Sequence, residues 1–269
     1  MNVDKVRQYS AVNKARFLNI CYEHNKAPVR GEGIGTLKEK RIHKVLKDYF
    51  DSNKSNQEIP HLGYVADIKN ENGIIEIQTG SLAPLYPKLS VFLSEDTVTL
   101  VHPMIENKTL SWIDPQSGDI SPRRRSPLHE TVTDGLVDLY NIRSHLANKN
   151  LRIRLVFIDV DEYKYRDGWS RDRKKGAHRY ERIPVGINSI VCLDDPRDYI
   201  EFIPDVLRTK DDGFTAKDYA SAVKKNTKYA YYALTALLNA GAIKKTGKIK
   251  NSFVYTINSD LSDQLSENH

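Results

Sequence analysis

The sequence predicts an α/β fold followed by a small domain of two helices and a hairpin. Up to about residue 205, short β-branched runs alternate with amphipathic stretches, the pattern of strands and helices packed in layers. After about residue 210 the pattern becomes alanine- and lysine-rich helical periodicity closed by one β-hairpin. The composition agrees: 269 residues, 39% hydrophobic and 28% charged, are an ordinary globular balance with enough chain for a sizeable core.

Several classes are excluded at once. No apolar run approaches the roughly 18 residues of a membrane span. The opening MNVDKVRQYSAVNKARF lacks the apolar stretch of a signal peptide, so a cytoplasmic location with no membrane partner is expected. Cys21 and Cys192 stand far apart and in no CxxC pair, which rules out a disulfide framework and a four-cysteine zinc site. The net charge of +6 permits a polyanionic partner without demanding one.

Taken in order, residues 1–25 read as a helix through Val3, Val6, Phe17, Leu18 and Cys21, and Pro28 with three glycines breaks it. A helix over 36–50 follows, with Leu37, Ile42, Val45, Leu46, Tyr49 and Phe50 on one face. The polar DSNKSNQEIP reads as a loop leading into HLGYVADI and GIIEIQT, two strands joined as a hairpin around Lys69–Gly73. Residues 81–93 read as a helix whose prolines, Pro84 and Pro87, fall near the tolerant first turn. Then come a buried strand (97–105), a turn at Pro115–Gly118, a helix (133–147) and the most apolar strand (151–163). A basic stretch and the strand INSIVCL close this part, and 194–213 reads as a linker with some helix in it. The domains expected are 1–205 and 210–258, with a polar tail at 259–269.

The hairpin carries the chemistry. Glu76 and Gln78, two apart on a strand, leave one face while Ile75 and Ile77 pack on the other. Asp67 ends the preceding strand, and the turn can bring it beside Glu76. Converging carboxylates repel unless a cation lies between them. A hard divalent ion, Mg²⁺ or Mn²⁺, satisfies them, polarises a phosphate oxygen and acidifies a bound water.

GYVADIKNENGIIEIQTG resembles the core of the PD-(D/E)XK nuclease superfamily, in which a hairpin displays an Asp and then Glu-x-Lys. The resemblance implies a restriction-endonuclease-like mixed sheet core flanked by helices, and metal-dependent hydrolysis of DNA. By it, Asp67 and Glu76 map onto metal ligands, with the backbone carbonyl of Ile77 as another and Glu39 as the acid of the preceding helix. Gln78 stands where most members carry Lys, and would orient the attacking water. His43 and Lys47 share a helical face one turn beyond Glu39, as phosphate contacts, a proton relay or a solvated helix edge.

Two regions suit a nucleic acid. Residues 164–182 carry a local charge of +5 interleaved with Tyr165, Trp169 and Tyr180. There Arg171, Arg173, Lys174 and Lys175 sit on a loop that either closes over a nucleic-acid backbone or is simply solvated. Arg123, Arg124 and Arg125 form a smaller cluster, read as phosphate contacts or plain surface. Residues 213–257, at +7, resemble a winged helix-turn-helix. Phe214, Tyr219 and Val223 would seat its first helix, and Thr227 would cap the second. Tyr232, Leu234, Leu237 and Leu238 would be buried, with Gly241 just past the end. That resemblance puts Lys224, Lys225, Asn226, Thr227, Lys228 and Tyr231 toward a major groove, and Lys244, Lys245, Lys248 and Lys250 of the wing on flanking phosphates. The expectation is a DNA endonuclease acting on duplex or branched substrates, compatible with a homodimer, with RNA left open. The alternative is a non-catalytic DNA-binding or regulatory protein on a degenerate nuclease fold.

Overall fold

The computed structural model describes residues 12–26, 41–169 and 175–260, the side chains of 167–169 and 175–179 excepted. The expected residues Glu39, Arg171, Arg173 and Lys174 therefore lie outside the described residues. Helices α1 (Lys14–Asn25) and α2 (Arg41–Phe50) precede strands β1 (Gln57–His61), β2 (Tyr64–Asn70) and β3 (Gly73–Ile77). Then follow α3 (Tyr86–Glu95), β4 (Val98–Ile113), β5 (Arg124–Arg125), α4 (Val132–Leu139), β6 (Leu151–Trp169) and β7 (Lys175–Leu193). They build a seven-stranded mixed sheet in the order β1-β2-β3-β4-β6-β7, with β5 on β4. The two parallel pairings are β3 with β4 and β4 with β6.

Parallel strands need cover on both faces, and the apolar residues supply it. On one face Phe17 of α1 and Val45 and Leu46 of α2 pack with Ile68, Ile77, Val101 and Val156. On the other, Leu89 and Phe92 of α3 and Leu136 of α4 pack with Ile74, Leu100 and Leu155. The expected split of the β3 side chains holds, with Ile75 and Ile77 on the α2 side. Pro84 and Pro87 sit at the start of the helical segment, as their missing N–H groups require.

Four readings are corrected. The polar stretch before the hairpin is partly strand β1, and HLGYVADI is interrupted by a tight turn in which Leu62 (φ 49°) and Gly63 (φ 80°) are both left-handed. Two such residues between paired His61 and Tyr64 match the hand of a twisted hairpin. Strand β4 runs on to Ile113 through Pro103, which sits beyond the last β3 pair at Ile77–Val101 and so breaks no ladder on that side. In the basic stretch β6 reaches Trp169 and pairs there with Lys175 at the start of β7, so Lys175 is on a strand and not in the expected loop, and Tyr165 meets Tyr180 at 4.8 Å.

Residues 194–213 are no solvated linker. Tyr199, Phe202, Ile203 and Leu207 are buried, the last in α5 (Asp205–Arg208). Beyond them lie β8 (Phe214–Thr215), α6 (Ala216–Ala222), α7 (Thr227–Asn239), β9 (Ile243–Ile249) and β10 (Ser252–Ile257). The strands form a small antiparallel sheet, β8-β10-β9. Asn226, not Thr227, caps α7, its side chain accepting the Tyr229 N–H. Gly241 (φ 79°) ends that helix, with the Gly241 and Ala242 amides donating to Leu238 and Leu237. The lysines expected at the wing's turn lie mostly along β9, and the turn itself is Lys250–Asn251. One apolar core runs continuously from Ala66 and Leu155 to Tyr219, Leu237 and Tyr255.

Gly73 locks the β2–β3 turn against the start of β4. Its φ is 108°, and a Cβ there would lie 2.4 Å from the Thr97 carbonyl oxygen. Gly73→Ala is expected to cost about 2 kcal/mol or more in urea unfolding. Gly63→Ala, with φ 80° but open space around it, should cost about 1 kcal/mol.

Candidate active site

The β2–β3 ladder stops at Ile68–Ile75, and Asp67 and Glu76 occupy the next position on each strand. Continued by one step, the register sets them opposite each other. Where the ladder ends, each carboxylate takes an amide from the other strand. The Ile77 N–H donates to Asp67 Oδ2 at 2.7 Å, and the Asp67 N–H donates to Glu76 Oε1 at 3.2 Å.

Helices on the two sheet faces then converge on the pair. From α2, His43 Nε2 lies 3.2 Å from Asp67 Oδ2. From α3, Lys88 Nζ donates to Glu76 Oε2 at 2.6 Å. Lys47, also on α2, is buried and pairs with Glu58, so that face of the helix is not a solvated edge.

Glu76 is 2% exposed, and its electrostatics follow from that. Burial first, and the Asp67 charge second, push its carboxyl up to about 7 against the pull of Lys88. Burial raises Asp67 too, but the His43 contact and the Ile77 amide outweigh it and hold that carboxyl below its ordinary value. The pair is thus asymmetric, with Asp67 the firm anion and Glu76 the proton-exchanging partner.

Gln78 does not join them by its side chain, whose amide donates to the Ser81 carbonyl at 2.7 Å. Its backbone carbonyl accepts from His102 Nδ1 at 2.6 Å, which fixes that proton, and His102 Nε2 lies 3.3 Å from Asp138 of α4. Ile77 meets the pair through its N–H. Among the described residues no three His, Cys, Asp or Glu side chains are grouped closely enough to hold a metal ion. What the site offers a cation is the two carboxylates. The residue that sequence reasoning missed is Lys88, the sole cation in an otherwise mostly apolar helix.

The basic residues divide between internal and outward roles. Lys164 and Arg182 pair with buried Glu162 at 3.4 and 2.5 Å, and Arg123 pairs with buried Asp161. Arg124 and Arg166 remain exposed, the latter 5.9 Å from the Trp112 ring centre. Lys175 opens β7. In the C-terminal part Lys224, Lys228, Lys245, Lys248 and Lys250 are exposed, as are Thr227 and Tyr231. Lys245 and Lys248 lie over the Phe253 ring at 4.1 and 4.6 Å. Lys244 bonds Ser259, and Lys225 bonds Asp134 of α4 at 3.0 Å.

The raised Glu76 carboxyl makes stability pH-dependent with a definite sign. The folded state holds this proton more tightly than the unfolded chain, so stability is lost as pH climbs from about 4.5 toward 7. Glu76→Gln should therefore raise Tm by about 4 °C or more near pH 8 and leave it nearly unchanged near pH 5. Lys88→Met should do the reverse, lowering Tm most at the higher pH. Scanning calorimetry across the two conditions checks both.

Known proteins match part of the chain. An uncharacterized protein of Treponema pallidum (strain Nichols) is 27% identical over 150 residues, 55% of this chain and 57% of that protein's own length. No solved structure matches the chain. No helix among the described residues is long and apolar enough to cross a membrane. The family model described as Domain of unknown function (DUF8091) matches residues 40–194, from α2 through β7 and including Asp67, Glu76 and Lys88, and the chain belongs to that family.

Proposed function

We propose that the protein is a metal-dependent endonuclease that hydrolyses DNA phosphodiester bonds, with its C-terminal part engaging the substrate as a winged helix. One observation carries the reading. Asp67 and Glu76 face each other where a β-ladder ends, with Lys88 brought onto Glu76 from a neighbouring helix. Two carboxylates and a lysine are the charge set that the PD-(D/E)XK resemblance calls for, the lysine coming from α3 instead of the Gln78 position.

The donor set suits a hard cation. Both ligands are oxygens, and the carboxyl pushed up to about 7 is the one an approaching dication would most readily return to its charged form. Asp67 and Glu76 would hold Mg²⁺ or Mn²⁺, which when bound polarises a phosphate oxygen and acidifies a water. Lys88 supplies the positive charge that Gln78 cannot, placed to stabilise charge developing on the phosphate. His43 keeps Asp67 ionised and oriented. The order β8-α6-α7-β9-β10, the exposed Lys224 and Lys228 around the start of α7, the exposed Lys245 and Lys248 of β9 and the +7 of residues 213–257 support the nucleic-acid part.

A second reading, a non-catalytic DNA-binding protein, is favoured by a different observation. Both carboxylates already have partners from the chain itself, and Gln78 is turned onto Ser81. Plasmid incubation with Mg²⁺ or Mn²⁺ separates the two. The first reading expects nicking that falls by about 100-fold or more in Asp67→Ala and Lys88→Met while DNA binding persists. Intact binding without cleavage, and no calorimetric signal from either ion, would establish the second.

A further inference from the structure

Helix α7 and the residues just before its Asn226 cap contact α4 on one side and are exposed on the other. The inward side is fastened to α4. Lys225 Nζ binds Asp134 Oδ1 at 3.0 Å and lies 4.9 Å from the Tyr229 ring centre. Tyr229 is partly buried beside Thr133 and Asp134. Tyr232 packs on Tyr140, just past the end of α4, at 4.6 Å between ring centres. Beneath these contacts Ala230, Ala233 and Leu237 share one core with Leu136 and Leu139. Lys228 and Tyr231 of α7 are exposed, and so is Lys224, three residues before the helix starts.

The same α4 reaches the carboxylate site from its other turn. Asp134 bonds its own N-cap Thr131 as well as Lys225, while Asp138, one turn on, meets His102. His102 in turn donates to the carbonyl of Gln78, two residues beyond Glu76 on the same chain. Thus one short helix touches both the nucleic-acid end of α7 and the strand end that bears Glu76.

We infer that α4 is a bracket that holds the C-terminal unit at a fixed offset from the Asp67–Glu76 pair, with Lys225 and Tyr229 as positioning residues of this clasp and not nucleic-acid contacts. The inference rests on the nucleic-acid reading proposed above for what the offset is used for. Contact with a phosphate backbone then falls to Lys224, Lys228 and the β9 lysines, and the substrate is presented to the carboxylates at a set distance from where it is gripped.

The test uses the full chain and a fluorescein-labelled duplex of mixed sequence. Lys228→Gln should lower the slope of log affinity against log salt by about one, as loss of a phosphate contact does, and Lys225→Gln should leave it unchanged. Equal losses from the two variants would overturn the assignment. Lys225→Gln and Asp134→Asn should be non-additive in Tm, with Lys225→Arg restoring the wild-type value; strict additivity counts against the clasp. Spin labels at Ser81→Cys and Thr246→Cys, in a Cys192→Ser background, report the offset directly. A single narrow distance that duplex does not shift is expected, and a broad or duplex-shifted one would sink the bracket. Should the wild type bind no duplex, the nucleic-acid reading fails, while the unfolding cycle and the distance still judge the bracket separately.

Discussion

A β-ladder that stops one pair early is the constraint on which the site depends. Past Ile68–Ile75 the backbone of β2 and β3 no longer pairs, so amides at Asp67 and Ile77 need acceptors inside a covered sheet. The two carboxylates provide them, and the cost of an unmade bond becomes the force that orients both side chains. An acidic pair built this way is pre-set before any ligand arrives. It is also frustrated, because two anions share a buried place, and the frustration shows as the raised Glu76 carboxyl. His43 and Lys88 relieve part of it from opposite faces of the sheet, which is why α2 and α3 both belong to the site.

Much of this was legible in the sequence, and the missing parts share a cause. The turn between Asp67 and Glu76 fixes their register, so local spacing was enough to find the pair. Local spacing also located α3 by its prolines and the end of α7 by Gly241. Lys88 was invisible because its partner is set by how α3 lies across β3, a tertiary fact that no sequence interval encodes. Gln78 shows the same limit: its side chain is turned onto the Ser81 carbonyl, a contact that its place in the motif does not encode. Strand β1 hid because an edge strand with one neighbour needs no apolar alternation. The outer halves of β6 and β7 hid because their side chains are satisfied by ion pairs instead of a core.

Those ion pairs change how the positive charge should be read. A count of basic residues treats every cation as available to a partner. Glu162, 2% exposed, instead takes Arg182 and Lys164, and buried Asp161 takes Arg123. A buried carboxylate left without its cation would be costly, so these side chains are committed to the fold and are poor candidates for binding a ligand. Lys225 also pairs with Asp134, at 3.0 Å between two partly exposed side chains. What stays exposed in the C-terminal part is a smaller set that includes Lys224 and Lys228 around the start of α7, Lys245 and Lys248 of β9, and Lys250.

The continuity of the core gives that smaller set its meaning. Were residues 194–213 a flexible tether, the C-terminal lysines would only raise the local concentration of a polyanion, at no defined distance from the carboxylates. Buried Tyr199, Phe202, Ile203 and Leu207 instead carry the apolar core from the main sheet into the small one. If the C-terminal surface grips a substrate as proposed, a fixed placement would supply orientation as well as proximity. The sheet, α4 and the exposed lysines therefore belong to one packed body, in which the fold's own ion pairs decide which cations remain exposed.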